Sequence, residues 1–345
     1  MEKSYFLKRK PRALTCGEDG GRDIFFRILS FTAMLSLLTS SLSLANSPST
    51  PLEENKTTQA FLTIPKESGE VIYQFNGEAS KQIYIIGVEH RNTITCCNGI
   101  NTAKVQAEVY RIGEWLIRNE GLRLLLPEGF FTRKIGEAVL RMSPAEKNRA
   151  EKPKLLDSAD LEERLADNRT KVNAEILLKQ KYGLRIRQIE DRFDYDVAHD
   201  AICKLSTGEG NPACPFLPKK SRLQYLQEKR VAAILQKIPA VVDEEFQHGN
   251  IRNERALFTI GLSHLSEIIR YFNNEKIEIH NPFPAPGEDK DYVADLNLLK
   301  EKFGITVIVP QKLAADDEVL KLCGMEKLVE QCRKQTPIVS SQKSP

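Results

Sequence analysis

Short apolar runs recur along the chain at 83–86, 122–126, 184–189, 256–260 and 305–309, and stretches of helical periodicity separate them. A run of this kind, rich in Ile, Val and Leu and closed by Gly, Pro or a charged residue, reads as a buried strand. Strands separated by helices pair in parallel through right-handed crossovers, because a parallel pair cannot be joined by a tight turn. The class expected is therefore α/β, with a mainly parallel central sheet, helices on both faces, and helical insertions capping the carboxyl edge of the strands. The insertions are 134–182 and 192–253, charged segments of helical period. A helix is expected over 102–120, with Val105, Val109, Ile112, Trp115 and Leu116 along one side and Gly121 as its stop. Further helices are expected at 265–272, 292–303 and 315–333, with a Pro-rich loop at 280–288.

The N-terminus limits where this fold works. Residues 1–27 are basic, an apolar stretch with Ser and Thr leads to Leu44, and Ser43-Leu44-Ala45 closes it. That order matches a secretory signal peptide. The stretch is short and diluted for a membrane span of about 20 apolar residues. The organisation expected is a signal peptide at 1–45, a linker at 46–70, one domain at 71–333 and a disordered tail at 334–345. The protein is expected to be exported, periplasmic or secreted, and to meet a membrane only through this N-terminal signal or an uncleaved anchor. The net charge is +3 for the whole chain. Residues 1–45 carry seven basic and four acidic side chains, so the rest is near neutral. A nucleic-acid partner is not expected, since phosphate binding needs a basic excess. In an oxidising compartment cysteines pair. Cys203 and Cys214 flank a loop with two Gly and a Pro and are expected to form a disulfide. Cys96, Cys97, Cys323 and Cys332 have open connectivity, and no C-x-x-C spacing suggests a thiolate metal site.

In parallel sheets ligands bind beyond the carboxyl ends of the strands. Chemistry is therefore sought in the residues just past each run. Gly87-Val88-Glu89-His90 comes after the first run, Pro127-Glu128-Gly129 after the second, Glu190-Asp191-Arg192 after the third, and Gly261-Leu262-Ser263-His264 after the fourth. The two G-x-x-H patterns lie 174 positions apart. Each glycine is expected to let the chain turn at the strand end and aim its imidazole into a crevice. Two imidazoles with one or two carboxylates can hold a divalent cation and activate a water. The expected metal ligands are His90, His264 and Glu128, and the expected catalytic groups are Glu128, His90 and Glu190. The metal would be Mn or Zn rather than Mg, given imidazole ligands. The same groups could work without metal, with a histidine as general base and a carboxylate fixing its tautomer. A strand-end carboxylate can also be a plain helix cap, as Glu89, Asp191 and Glu267 could each be. His199, His248 and His280 read as structural or surface residues.

This order of motifs resembles the TraB/GumN and Tiki group, within a broader set that includes erythromycin esterases and ChaN-like proteins. The resemblance rests on the first strand with its G-x-x-H, the Leu124-Leu125-Leu126-Pro127-Glu128 segment, and the late Phe258-Thr259-Ile260-Gly261-Leu262-Ser263-His264. Arg252-Asn253 and Arg255 are the local candidates for an Arg-Asn pair ahead of that last motif. The match spans roughly residues 80–310. The first motif carries Glu89 where the Tiki branch has small or hydroxylated residues, which brings it nearer the esterase and ChaN branches. The resemblance implies an α/β fold and, in the Tiki branch, metal-dependent proteolysis of a peptide or small-molecule substrate. In the other branches it implies metal-independent ester hydrolysis, or haem and small-ligand binding without turnover.

Overall fold

The computed structural model describes residues 62–89, 101–131, 158–166, 173–207, 216–282, 284 and 290–335. Eight strands are described among them. They are β1 (Gly69–Phe75), β2 (Lys81–Val88), β3 (Leu124–Pro127), β4 (Arg185–Ile186), β5 (Arg255–Gly261), β6 (Ile277–His280), β7 (Asp291–Ala294) and β8 (Phe303–Pro310). Six form one sheet in the order β1-β8-β2-β5-β3-β4, and β6 and β7 form a separate hairpin. In the large sheet every described pair is parallel except β1 with β8. The α/β class expected from the apolar runs is the class observed.

Burial explains why these runs are strands. Ile83, Ile85, Ile86, Phe258, Ile305, Val307 and Ile308 are all at 0% exposure. Such strands are covered on both faces, so they read as continuous apolar runs rather than as alternation. The covering helices include α1 (Thr102–Asn119), whose Val105, Val109, Ile112 and Leu116 are fully buried. Next come α2 (Ser158–Ala166), α3 (Ala174–Tyr182), α4 (Arg192–Thr207) and the long α5 (Phe216–Gln247). A short 3₁₀ turn, Leu262–His264, leads into α6 (Leu265–Asn273). Last are α7 (Asn297–Lys302), α8 (Gln311–Ala314), α9 (Asp317–Leu322) and α10 (Glu326–Gln335).

Several expectations change in detail. β1 begins at Gly69, inside the expected linker, and its register with β8 starts at the Gly69–Pro310 pair. The strand expected over 184–189 pairs only at Arg185–Ile186. Part of the expected 292–303 helix is strand β7, because Asp291 to Ala294 ladder against β6. The expected 315–333 helix is broken at Cys323 and Gly324, between α9 and α10. The signal segment, most of the linker and the tail from 336 onward lie outside the described residues. Among the described residues no helix is long and apolar enough to cross a membrane.

The strand order matters most for chemistry. β2, α1 and β3 are consecutive in sequence, yet β3 does not lie beside β2. The late strand β5 sits between them and pairs in parallel with both, with Ile83 and Leu124 each opposite Ala256. Gly87 is opposite Ile260, and Val88 is opposite Gly261. Gly87 and Val88, which open the first G-x-x-H pattern, thus lie beside Gly261, which opens the second.

The glycines do a different job from the one expected. Neither Gly87 nor Gly261 has a positive φ, and Gly87 lies within β2 rather than at a turn. A Cβ on Gly87 would sit 2.5 Å from Leu265 Cδ1 and 2.9 Å from Leu262 Cδ1. The glycine is required by the close approach of the second motif's leucines. Gly87→Val should therefore destabilise the fold by about 1–3 kcal/mol, the usual cost of overpacking a filled core. A urea midpoint unchanged from the parent protein would contradict this.

Candidate active site at the carboxyl edge of the sheet

Glu128 directly succeeds β3. Its Oε2 accepts a hydrogen bond from the Gly261 N–H at 2.8 Å, which ties the end of β3 to the end of β5. Its Oε1 is ion-paired with Arg230 of α5. The Arg230 Nε lies 2.5 Å from Glu190 Oε1, an ion pair without the alignment of a hydrogen bond. The other oxygen of Glu190 accepts from the Gly129 N–H at 3.0 Å. Gln188 Nε2 donates to the Glu190 carbonyl at 2.9 Å, which holds the segment after β4 in place. The side chains of Glu128, Glu190 and Arg230 are 6%, 1% and 6% exposed. This is a buried trio of two carboxylates around one guanidinium, at the edge where the sequence placed the chemistry.

Two negative charges and one positive leave one buried negative charge in excess, and desolvation penalises it. Burial accordingly pushes the Glu190 carboxyl up, to about 7, against the opposing pull of the Gly129 N–H. Burial also holds the Arg230 guanidinium down, to about 10, with the Glu267 carboxylate opposing.

His264 ends the 3₁₀ turn after β5. Its Nδ1 is 3.6 Å from Glu267 Oε2, an ion-pair distance rather than a hydrogen bond, and the two side chains are 12% and 13% exposed. Tyr271 O–H donates to the same Glu267 carboxylate and fixes its orientation. Above the trio the Tyr195 ring lies against the Gly129 turn and 5.7 Å from the Arg230 guanidinium carbon. Phe131 meets Tyr195 edge-on at 5.1 Å, and His199 stacks on it at 5.9 Å. Segments of the expected helical insertions thus cover the site, α4 through Tyr195 and α5 through Arg230.

Of the expected site residues, Glu128 and Glu190 are joined through Arg230, and His264 follows three residues after Gly261, whose N–H Glu128 holds. His90 lies outside the described residues. Among the described residues no three His, Cys, Asp or Glu side chains converge as a metal-ligand set. The fixed cation between Glu128 and Glu190 is a guanidinium, and it competes with any metal for the same oxygens. Of the expected Arg-Asn pair, Arg252 is exposed, while Asn253 Nδ2 donates to the Gly121 carbonyl at 2.8 Å at the opposite edge of the sheet.

Arg230 was not anticipated from the sequence, although a signal was present. Leu226, Arg230, Ile234 and Ile238 recur every four residues on α5, so Arg230 is a charge on an apolar stripe. A charge placed there must find a buried partner.

The expected Cys203–Cys214 disulfide involves side chains outside the described residues, as do Cys96 and Cys97. Cys323 is a buried thiol, and the Cys332 Sγ donates to the Ile72 carbonyl at 2.6 Å. Burial, aided by the nearby Glu89 carboxylate, pushes the Cys323 thiol up to about 12. The thiolate is the reactive form. In the folded protein at pH 8, Cys323 should therefore resist iodoacetamide and become labelled only in denaturant. Rapid labelling without denaturant would contradict the burial.

Comparison of the chain with family models, with curated proteins and with solved structures returns no significant match.

Proposed function

We propose that the chain is a hydrolase of carboxylic esters or amides, acting on a peptide or small-molecule substrate at the carboxyl edge of the sheet. The observation that carries this is the buried Glu128–Arg230–Glu190 trio, tied through the Gly261 N–H to the strand end that leads into the His264–Glu267 pair. His264 is the base that takes a proton from the attacking water, and Glu267 stabilises the imidazolium that forms. Arg230 supplies a fixed positive charge in a dry setting, where it can stabilise the oxyanion of a tetrahedral intermediate at no reorganisation cost. Glu190, with a proton available near neutral pH, is suited to protonate the leaving group.

A second reading draws on the pairing of β2 with β5, in which Val88 of the first G-x-x-H pattern lies opposite Gly261 of the second. In that reading His90, His264 and Glu128 hold a divalent Mn or Zn, which would lower the pKa of a bound water. The TraB/GumN–Tiki resemblance belongs with this reading. Export through residues 1–45 is part of either proposal.

The test is turnover of a panel of nitrophenyl esters and peptide amides by the purified chain, with and without EDTA. Turnover that survives EDTA supports the histidine–carboxylate reading. Turnover lost to EDTA and restored by Mn or Zn supports the metal reading. No turnover of any substrate, with haem or another small ligand bound instead, would remove the hydrolase.

A further inference from the structure

A cavity of about 200 Å³ opens at the amino ends of the parallel strands, the opposite edge from Glu128. Its floor is a polar patch on a sheet whose other faces are apolar. Gln74, Thr306 and Tyr84 are direct cross-strand neighbours on β1, β8 and β2, so their side chains share one face. The next row holds Gln82, Gly304 and Arg255. Gly304 leaves the room this row needs, since a Cβ there would lie 2.4 Å from both ends of the Gln82 amide. Core sheet positions do not normally carry a block of polar side chains, because each must be satisfied.

The groups are held rigidly. Gln82 Nε2 donates to the Gly77 and Ala79 carbonyls at 2.8 and 2.6 Å. Tyr84 O–H donates to Glu120 Oε2 at 3.1 Å, and Arg255 Nη1 donates to the same oxygen at 2.7 Å. Gln74 Oε1 accepts from the Leu62 N–H at 2.8 Å. Thr306 is 1% exposed overall, and it lines the cavity. A preorganised polar floor with a threonine lining the cavity has the construction of a small-ligand site.

The chemistry narrows the guest. Arg255 is matched by Glu120, and Glu78 at the rim adds a further negative charge, which disfavours an anion. The amides and the hydroxyl can donate to or accept from hydroxyls of a ligand, and the carboxylate can accept from them. The volume is below the roughly 300–1,000 Å³ of drug-sized pockets, so the guest is small. We propose that this cavity binds an uncharged polyol about the size of one sugar ring, independently of the proposed hydrolysis at the other edge.

The experiment is calorimetric titration of the full chain with glucose and inositol, and with phosphate, citrate and spermidine as charged controls. Calorimetry is preferred to melting, because polyols raise melting temperatures without specific binding. Saturable binding of a ring polyol is expected. Thr306→Val should weaken it about fivefold, the loss of one hydrogen bond. Ser80→Trp, at the exposed rim, should abolish it, with circular dichroism confirming that both variants fold. No saturable heat with either polyol, equal affinity in both variants, or preference for a charged control would overturn the proposal.

Discussion

Arg230→Ala is expected to cost about 3–5 kcal/mol of stability, because removing one member of a buried ionic cluster leaves the others uncompensated. Here the stranded groups are two carboxylates, Glu128 and Glu190, both paired with this guanidinium and with side-chain exposures of 6% and 1%. At about 2–4 °C per kcal/mol for a domain of this size, the melting midpoint should fall by roughly 10 °C. The loss has a pH signature. The Glu190 carboxyl is already raised to about 7 in the folded protein, and without the guanidinium it rises further. A carboxyl whose folded value lies above its unfolded one, about 4.3, binds extra protons when folded. Stability from this group is therefore greatest below about pH 4.3 and declines as pH rises through the folded value. The gap between variant and parent should be narrower at pH 5 than at pH 8. Arg230→Met combined with Glu128→Gln and Glu190→Gln should recover part of the loss, since no buried charge is then stranded. A midpoint within a degree or two of the parent for Arg230→Ala alone would show that water reaches the trio and that it is not the dry cluster described.

His264→Ala should lower kcat by about 10²–10⁴, the usual contribution of a positioned general base. The side chain is 12% exposed, so its truncation should also cost about 1 kcal/mol of stability, too little to unfold the protein. Glu267→Gln keeps the hydrogen bond from Tyr271 but removes the charge that stabilises the imidazolium, and a smaller loss of kcat is expected from it. KM should hold in both variants, because neither group is proposed to grip the ground state. Hydrolysis by His264→Ala at the parent rate would remove His264 from the mechanism while leaving the fold untouched.

The resemblance to the TraB/GumN and Tiki group stands on short motifs in a matching order. In the structure β5 pairs with β2, so that Val88 lies opposite Gly261. The structure also adds a feature that the motifs do not contain. Arg230 comes from a helix far from either motif in sequence, and it neutralises much of the charge that would otherwise draw a cation to Glu128 and Glu190. Chelation is therefore the most informative treatment to apply first.

Local sequence determined the parallel strands of the core, the helix that covers them at 102–119, and the edge at which Glu128 and His264 lie. The reason is that burial on both faces makes a parallel strand one unbroken apolar run, as in Ile83-Tyr84-Ile85-Ile86, and makes a covering helix a stripe, as in Val105, Val109, Ile112 and Leu116. The residue after such a run must then lie at the carboxyl edge, and Glu128 and His264 are legible in that way. Tertiary structure alone decided which strands are neighbours, because pairing joins residues as distant as Ile83 and Ala256, and no local pattern encodes that choice. The insertion of β5 between β2 and β3 is a consequence, and so are the need for glycine at position 87 and the hydrogen bond from Gly261 to Glu128. The short hairpin of β6 and β7 is hidden from the sequence for the same reason, since four-residue strands become stable only by pairing. Arg230 is the sharpest case: the helical period put a charge on a buried stripe, but only the folded chain could supply the two carboxylates that make its burial tolerable.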